Sequence, residues 1–282
     1  FCMMNDPGGY MKLSFSTLAT PDNSAGEAIE FACKFGYSGI DLRVSDYKGE
    51  LTLHSSKQEI KNIKNMLQNN GIECSGLLCY NSVGSKEASS WYKMEEEIKR
   101  CIEIGEELET KILRLFTGKT EEESFLDEFL NRTANSFSNV LRTEKTKLKF
   151  LLQNHRLNST AHQAIEIIQK VSDDRMGMIF SPDHCFIVNE ETKSIFEFIL
   201  KYTKQLYFAD YINENGSYKH MLPGTGSVPL AEIYNEFLKI NFDGWISFKW
   251  EKIWHNDIES AKTALPVFID FMAGLQRFSI ET

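Results

Sequence analysis

No stretch of about 18 consecutive apolar residues occurs, so no membrane span is predicted. A C-x-x-C pair is also missing. The six cysteines, Cys2, Cys33, Cys74, Cys79, Cys101 and Cys185, have the spacing of neither a zinc site nor a disulfide framework. With no secretory leader pattern in view, a cytoplasmic chain with reduced thiols is expected. Positive charge is in deficit: the formal net charge is -9, with no basic cluster, which argues against nucleic-acid binding. No G-x-G-x-x-G follows the first strand and no G-x-x-x-x-G-K-S/T occurs, so neither a dinucleotide fold nor a phosphate loop is signalled. "GTGSV" lacks the lysine and the following helix of such a loop and reads as a turn. No linker or low-complexity segment divides the chain.

What is present is alternation. Apolar runs at 12–19, 38–44, 72–80, 111–118, 148–155, 176–185, 205–211 and 244–250 read as strands. Between them lie helical patterns at 23–36, 55–71, 90–108, about 121–145, 159–171, 192–203 and 230–240, and a last helix closes the chain. The acidic 121–145 segment reads as a solvated, surface-facing helix. Eight strand–helix units within 282 residues predict one closed (β/α)8 barrel over 12–282, preceded by a lead-in segment at 1–11. An open doubly wound sheet is the competing architecture.

In such a barrel the chemistry sits where the strands end. The polar residues there are Arg43, Tyr80, Arg114, Gln153, Asn154, His155, Ser181, Asp183, His184, Tyr207, Asp210, Lys249 and Glu251. Any one of these reads as a solvated loop start, but several on one rim point to a ligand site. The oddest is Lys249 in "GWISFKWEKIW", because lysine is costly to bury. His54, His162 and His255 read as surface residues.

The segments "GYSGIDLR", "LQNHRLNST", "SPDHC", "YFADY", "LPGTGSVPLAEI" and "FDGWISFKWEKIW" resemble, in order from about residue 12 to 275, those of the xylose isomerase-like barrels. These include sugar-phosphate isomerases and epimerases. The resemblance implies a divalent metal, often manganese, on the barrel axis. Its expected ligands are a glutamate where this chain has Gln153, an aspartate at Ser181, a histidine at Tyr207 and a glutamate at Lys249, with His184, Asp210 and Glu251 retained nearby. Amide, hydroxyl, phenol and ammonium are a poor set for a hard cation. No metal and no other cofactor is therefore expected at those positions. The two missing carboxylates are also the family's proton carriers, so the standard isomerase mechanism does not transfer.

Three readings follow. In the first, the chain is a divergent barrel that binds a sugar or sugar-derived small molecule through Arg43, Arg114, Gln153, Ser181, Tyr207, Asp210 and Glu251, its metal chemistry lost. In the second, Lys249, with His184 or His155 as partner, performs metal-independent isomerase, epimerase or lyase chemistry. In the third, the leftover ligand types Asp183, His184, Cys185, Asp210, His220 and Glu251 assemble a different metal site. Against that stands the expectation that adjacent strand residues, such as those of "DHC", point in opposite directions. Partners are expected to be small molecules, with self-association left open.

Overall fold

The computed structural model describes residues 11–81, 86–120, 122–155 and 159–280. Eight parallel strands close a barrel: β1 (Lys12–Ser16), β2 (Gly39–Val44), β3 (Glu73–Cys79), β4 (Ile112–Leu115), β5 (Lys149–Gln153), β6 (Met176–Phe180), β7 (Thr203–Phe208) and β10 (Trp245–Phe248). The ring runs β1-β10-β7-β6-β5-β4-β3-β2, and closure is made by Lys12 to Phe15 pairing in parallel with Trp245 to Phe248. This is a single (β/α)8 barrel, and the open-sheet alternative falls with the β1–β10 pairing. Of the lead-in segment, only Met11 belongs to the described residues, and it is buried.

The helices begin where the sequence supplies caps. Ser24, Ser56 and Thr160 each close a capping box with Glu27, Glu59 and Gln163, which starts α1 (Ala25–Phe35), α2 (Lys57–Asn70) and α5 (Ala161–Val171). Gly36 and Gly71 stop the first two in the left-handed conformation that glycine adopts without strain. The others are α3 (Ala88–Leu108), α4 (Leu126–Thr143), α6 (Pro182–Val188), α7 (Phe196–Tyr202), α8 (Leu230–Lys239) and α9 (Ala261–Ile280). Helix α4 corrects the surface-facing expectation. It buries Phe129, Leu130, Phe137, Val140 and Leu141 against the barrel and exposes only its other face.

Strand alternation sorts the core in two. Ile40, Leu42, Leu113, Leu115, Phe150, Leu152, Met178, Phe180, Leu206, Phe208, Ile246 and Phe248 join the large cluster shared with the helices. The intervening residues turn inward, where Ile112, Leu151, Ile179, Tyr207 and Trp245 form a separate small cluster. Beside it lies a polar layer. The fully buried Asp41 carboxylate accepts hydrogen bonds from Ser75 (2.6 Å), Gln205 (3.0 Å) and Ser247 (2.6 Å), contributed by three other strands. One alternation further toward the strand ends come Arg43, Arg114, Gln153, Ser181 and Lys249.

Two segments depart from the expected pattern. The strand anticipated over 176–185 ends at Phe180, and Ser181-Pro182 turns the chain into α6. Proline has no N–H to give a sheet, whereas it suits the first turn of a helix. After β7 the chain forms an antiparallel hairpin, β8 (Asp210–Glu214) and β9 (Ser217–Met221), turned by Asn215-Gly216 with both φ angles positive. No described helix is long and apolar enough to cross a membrane. Cys33, Cys74, Cys79, Cys101 and Cys185 are free thiols.

Candidate functional site

Lys249 follows the end of β10 and is 2 % exposed. Its Nζ lies 2.6 Å from Asp183 Oδ2 and 2.9 Å from His184 Nε2. An ammonium has only donors, so with Lys249 charged the His184 Nε2 is the acceptor. Both partners come from the first turn of α6. Consecutive side chains are about 100° apart on a helix rather than opposed as on a strand, so Asp183 and His184 can both reach the long Lys249 side chain, which overturns the expectation that they point apart. Cys185 goes elsewhere, to Asn154 (3.4 Å) and Glu190 (3.5 Å). Burial, reinforced by Glu190, pushes its thiol up, away from the thiolate that ligation or attack needs.

Gln153 and Ser181 meet directly, Nε2 to Oγ at 3.0 Å, and Arg114 Nη1 reaches Gln153 Oε1 at 3.3 Å. The Arg114 guanidinium also stacks on Phe116 (4.0 Å) and Tyr80 (4.7 Å). His155 packs against both Phe116 and His184, with ring centroids 5.1 and 4.2 Å away. Gln153, Ser181, Arg114, His155, His184 and Lys249 thus form one contiguous set of contacts. A cavity of about 40 Å³ beside His155 and His184 has room for little more than water.

The remaining expected residues stand apart. Arg43 forms a buried ion pair with Glu50 (2.5 Å), a partner the sequence reading passed over. Tyr207 is fully buried, and burial pushes its phenol far up, with the Asp41 carboxylate adding to the effect. The Asp210 carboxylate accepts four backbone N–H bonds, from Tyr211, Gly224, Gly226 and Val228. It clamps the "GTGSV" turn, and a Cβ on Gly226 would come within 2.1 Å of it. Glu251 accepts a hydrogen bond from the Tyr211 hydroxyl (3.1 Å) and lies 3.6 Å from His220 Nε2.

Electrostatics separates the two acids near Lys249. For Asp183, complete burial pushes the carboxyl up, and the ammonium offsets only part of this. For Glu251 burial also pushes up, but Lys249, His220 and His184 together outweigh it and hold the acid well below the usual carboxylate range. The donor set at the four positions where the resemblance puts metal ligands does not suit a divalent cation. Gln153 and Ser181 are neutral and hydrogen-bonded to each other, Tyr207 is a buried phenol, and Lys249 places a cation there, with Asp183 beside it.

At the rim, Tyr47 and Trp254 stack at 5.5 Å while each remains 54 % exposed. No periodicity in the sequence announces this pair. It follows from β1, β2 and β10 being neighbours around the ring.

Comparison with known proteins agrees with this architecture. The family model for the xylose isomerase-like TIM barrel matches residues 29–270. A D-tagatose 3-epimerase-like protein superposes with a TM-score of 0.77 at 17% identity, covering 95% of this chain and 100% of that one. The IolI protein, whose structure holds a zinc atom, gives 0.79 at 18% identity, with 94% and 98% covered. D-psicose 3-epimerase with D-tagatose, from Clostridium cellulolyticum H10, gives 0.75 at 14% identity, with 94% and 99% covered. At these identities the likeness is one of fold. No curated protein matches the chain. The family match over most of the length, the closed ring of eight parallel strands and the polar strand ends agree, and the chain belongs to the xylose isomerase-like TIM barrel family.

Proposed function

We propose that this barrel binds a sugar or sugar-derived small molecule at the mouth formed by its strand ends, and does so without the family's axial metal. The observation that carries the reading is a set of buried polar atoms around the axis with no hydrogen-bond partner among the described residues: Arg43 Nη1, Arg114 Nε, Asp183 Oδ1 and Tyr207 Oη. Buried polar groups are normally paired, and unmet donors and acceptors on several strand ends of one ring are the complement of a polyhydroxylated ligand. By the resemblance of "GWISFKWEKIW" to the family's eighth strand, Lys249 takes the position of a metal-binding glutamate, and in this reading its ammonium supplies positive charge in place of the ion. Half-buried His155 and Tyr80 and the exposed Tyr47–Trp254 pair provide apolar surface for a sugar ring. The cytoplasm is the compartment that suits its free thiols.

A second reading has one observation in its favour. The 2.9 Å contact of Lys249 with His184 is the geometry of a proton-transfer pair, so metal-independent isomerase, epimerase or lyase chemistry is the alternative. The Asp183 carboxylate at 2.6 Å competes for the amine, which favours a proton-donor role over a Schiff-base nucleophile.

The test is calorimetric titration of ketohexoses, pentuloses, their phosphates and inososes into the protein with a chelator present. We expect saturable binding of at least one class, weakened at least about tenfold, roughly 1.4 kcal/mol, by Gln153→Leu and by Arg114→Met. No binding across the panel overturns the proposal. Turnover that persists under chelation but is lost in Lys249→Met and His184→Gln selects the second reading.

A further inference from the structure

A second constellation lies just off the axis and shares no residue with the four family ligand positions. His220 on β9, Glu251 beyond β10 and His255 on the following turn bring two imidazoles and one carboxylate together, with one ligand atom from each within 4.8 Å of the others. Two strands of evidence make this more than a chance cluster. The His220 side chain is completely buried, yet neither of its ring nitrogens has a hydrogen-bond partner among the described residues, although Nε2 faces Glu251 Oε2 at 3.6 Å. A buried imidazole whose Nδ1 has no partner and whose Nε2 has only a long contact to a carboxylate is costly unless something binds there. The second is geometric: Asp183 holds the Lys249 ammonium at 2.6 Å, and among the described residues Glu251 has no lysine or arginine ion pair, only the Tyr211 hydroxyl and the His220 ring.

The ring of His220 is fixed before any ion arrives. It packs against Tyr211 (4.1 Å) and Trp250 (5.1 Å), while the Tyr211 hydroxyl orients the Glu251 carboxylate at 3.1 Å. Such outer contacts are what hold metal ligands in register. Glu251 and His255 are four residues apart on one turn, closed by the His255 N–H to Glu251 carbonyl bond at 3.2 Å. The hairpin delivers the third ligand from the other side.

We infer that His220, Glu251 and His255 form a binding site for a zinc-class divalent cation, with two imidazole nitrogens, one carboxylate oxygen and an open fourth position for water or ligand. Two histidines and a glutamate are a zinc set, and imidazole selects against magnesium and calcium. Tetrahedral zinc with ligands at about 2.0–2.2 Å spaces its donors by about 3.3–3.6 Å, and the His220 Nε2 to Glu251 Oε2 separation of 3.6 Å already matches. The inference stands independently of sugar binding at the mouth.

The test uses the full chain stripped with a chelator and titrated with Co²⁺ and then Zn²⁺. One equivalent of Co²⁺ should bind and develop the intense visible bands of a tetrahedral site, and Zn²⁺ should displace it. His220→Ala and Glu251→Gln should each weaken Co²⁺ binding at least about tenfold. Should circular dichroism show His220→Ala to be unfolded, His255→Ala on the partly exposed turn replaces it, with the same expectation. No tetrahedral spectrum in the wild type overturns the inference. So does binding that survives these substitutions but vanishes in Asp183→Asn or His184→Ala, since the ion would then belong to the axis.

Discussion

Asp41 on β2 and Glu251 just beyond β10 are carboxylates of the same ring, with β1 between their strands, and their surroundings treat them in opposite ways. Asp41 sits deep in the barrel with three neutral donors and no cation within hydrogen-bond reach. Burial dominates there and pushes its carboxyl up, with Ser247, Ser75 and Gln205 recovering part of the loss. Glu251 stands at the mouth with one hydroxyl donor, two imidazoles close by and an ammonium nearby, and its acid is held well down. The deep carboxylate is met on both oxygens by neutral donors and is structural, although Gln205 Oε1 beside it has no partner among the described residues. The mouth layer keeps unmet polar atoms and surplus charge, which are the marks of a surface built to receive something.

The sharpest way to break this contrast is to remove one member of the buried pair at the mouth. Asp183→Ala leaves Lys249 buried without its anion and should cost about 3–5 kcal/mol in urea unfolding. Asp183→Ala combined with Lys249→Met should recover most of that loss, because an apolar pair of similar bulk is close to neutral. A double variant no more stable than the single one would mean that the two groups do not act as a pair.

A pH series of the same unfolding measurement sharpens the comparison further, with a smaller expected effect of about 1–2 kcal/mol. Asp41 binds its proton more tightly folded than unfolded. Its contribution is therefore largest below the ordinary aspartate value near 3.9 and is lost as pH rises toward the raised value. Glu251 is the reverse: its contribution is present above the ordinary glutamate value of about 4.3 and is lost as pH falls toward the depressed one. Asp41→Asn should make stability less dependent on rising pH, and Glu251→Gln should flatten the loss on the acid side. Identical profiles for the two variants would erase the distinction.

The smallest effect belongs to the rim. Tyr47→Ala or Trp254→Ala should change stability by only about 0.5 kcal/mol, since both rings are half in water, while weakening sugar binding severalfold in the calorimetric assay. A large stability loss with unchanged binding would make the pair structural.

The barrel was legible because alternation of buried strands and capped helices is a local signal. Ser24, Ser56 and Thr160 announce their helices, and the inward polar residues follow from period two once the ring is closed. Lys249 and its neighbours at the strand ends were legible for the same reason. Asp183 as the partner of Lys249 was not, because extending the 176–185 strand through Pro182 assigned the wrong period to "SPDH". The hairpin carrying His220 was also passed over, although Asn215-Gly216 between two alternating runs is its standard signal. His255, expected on the surface, is half-buried beside His220, a contact of 35 residues' separation that no local pattern encodes. Pairings such as Arg43–Glu50 and Tyr47–Trp254 depend likewise on where loops from different strands fall around the ring.

The Asp41 layer also bears on how the ring divides. Asp41 and Ser75 belong to the first half of the chain, and Gln205 and Ser247 to the second. A fragment ending after β4 would hold the carboxylate with one of its three donors, and the complementary fragment would hold two donors with no acceptor between them. Neither half is self-sufficient at its centre. The buried acid thus acts as a latch that disfavours half-barrels and mispaired fragments, and any scheme for splitting or shuffling this scaffold has to keep β2, β3, β7 and β10 together.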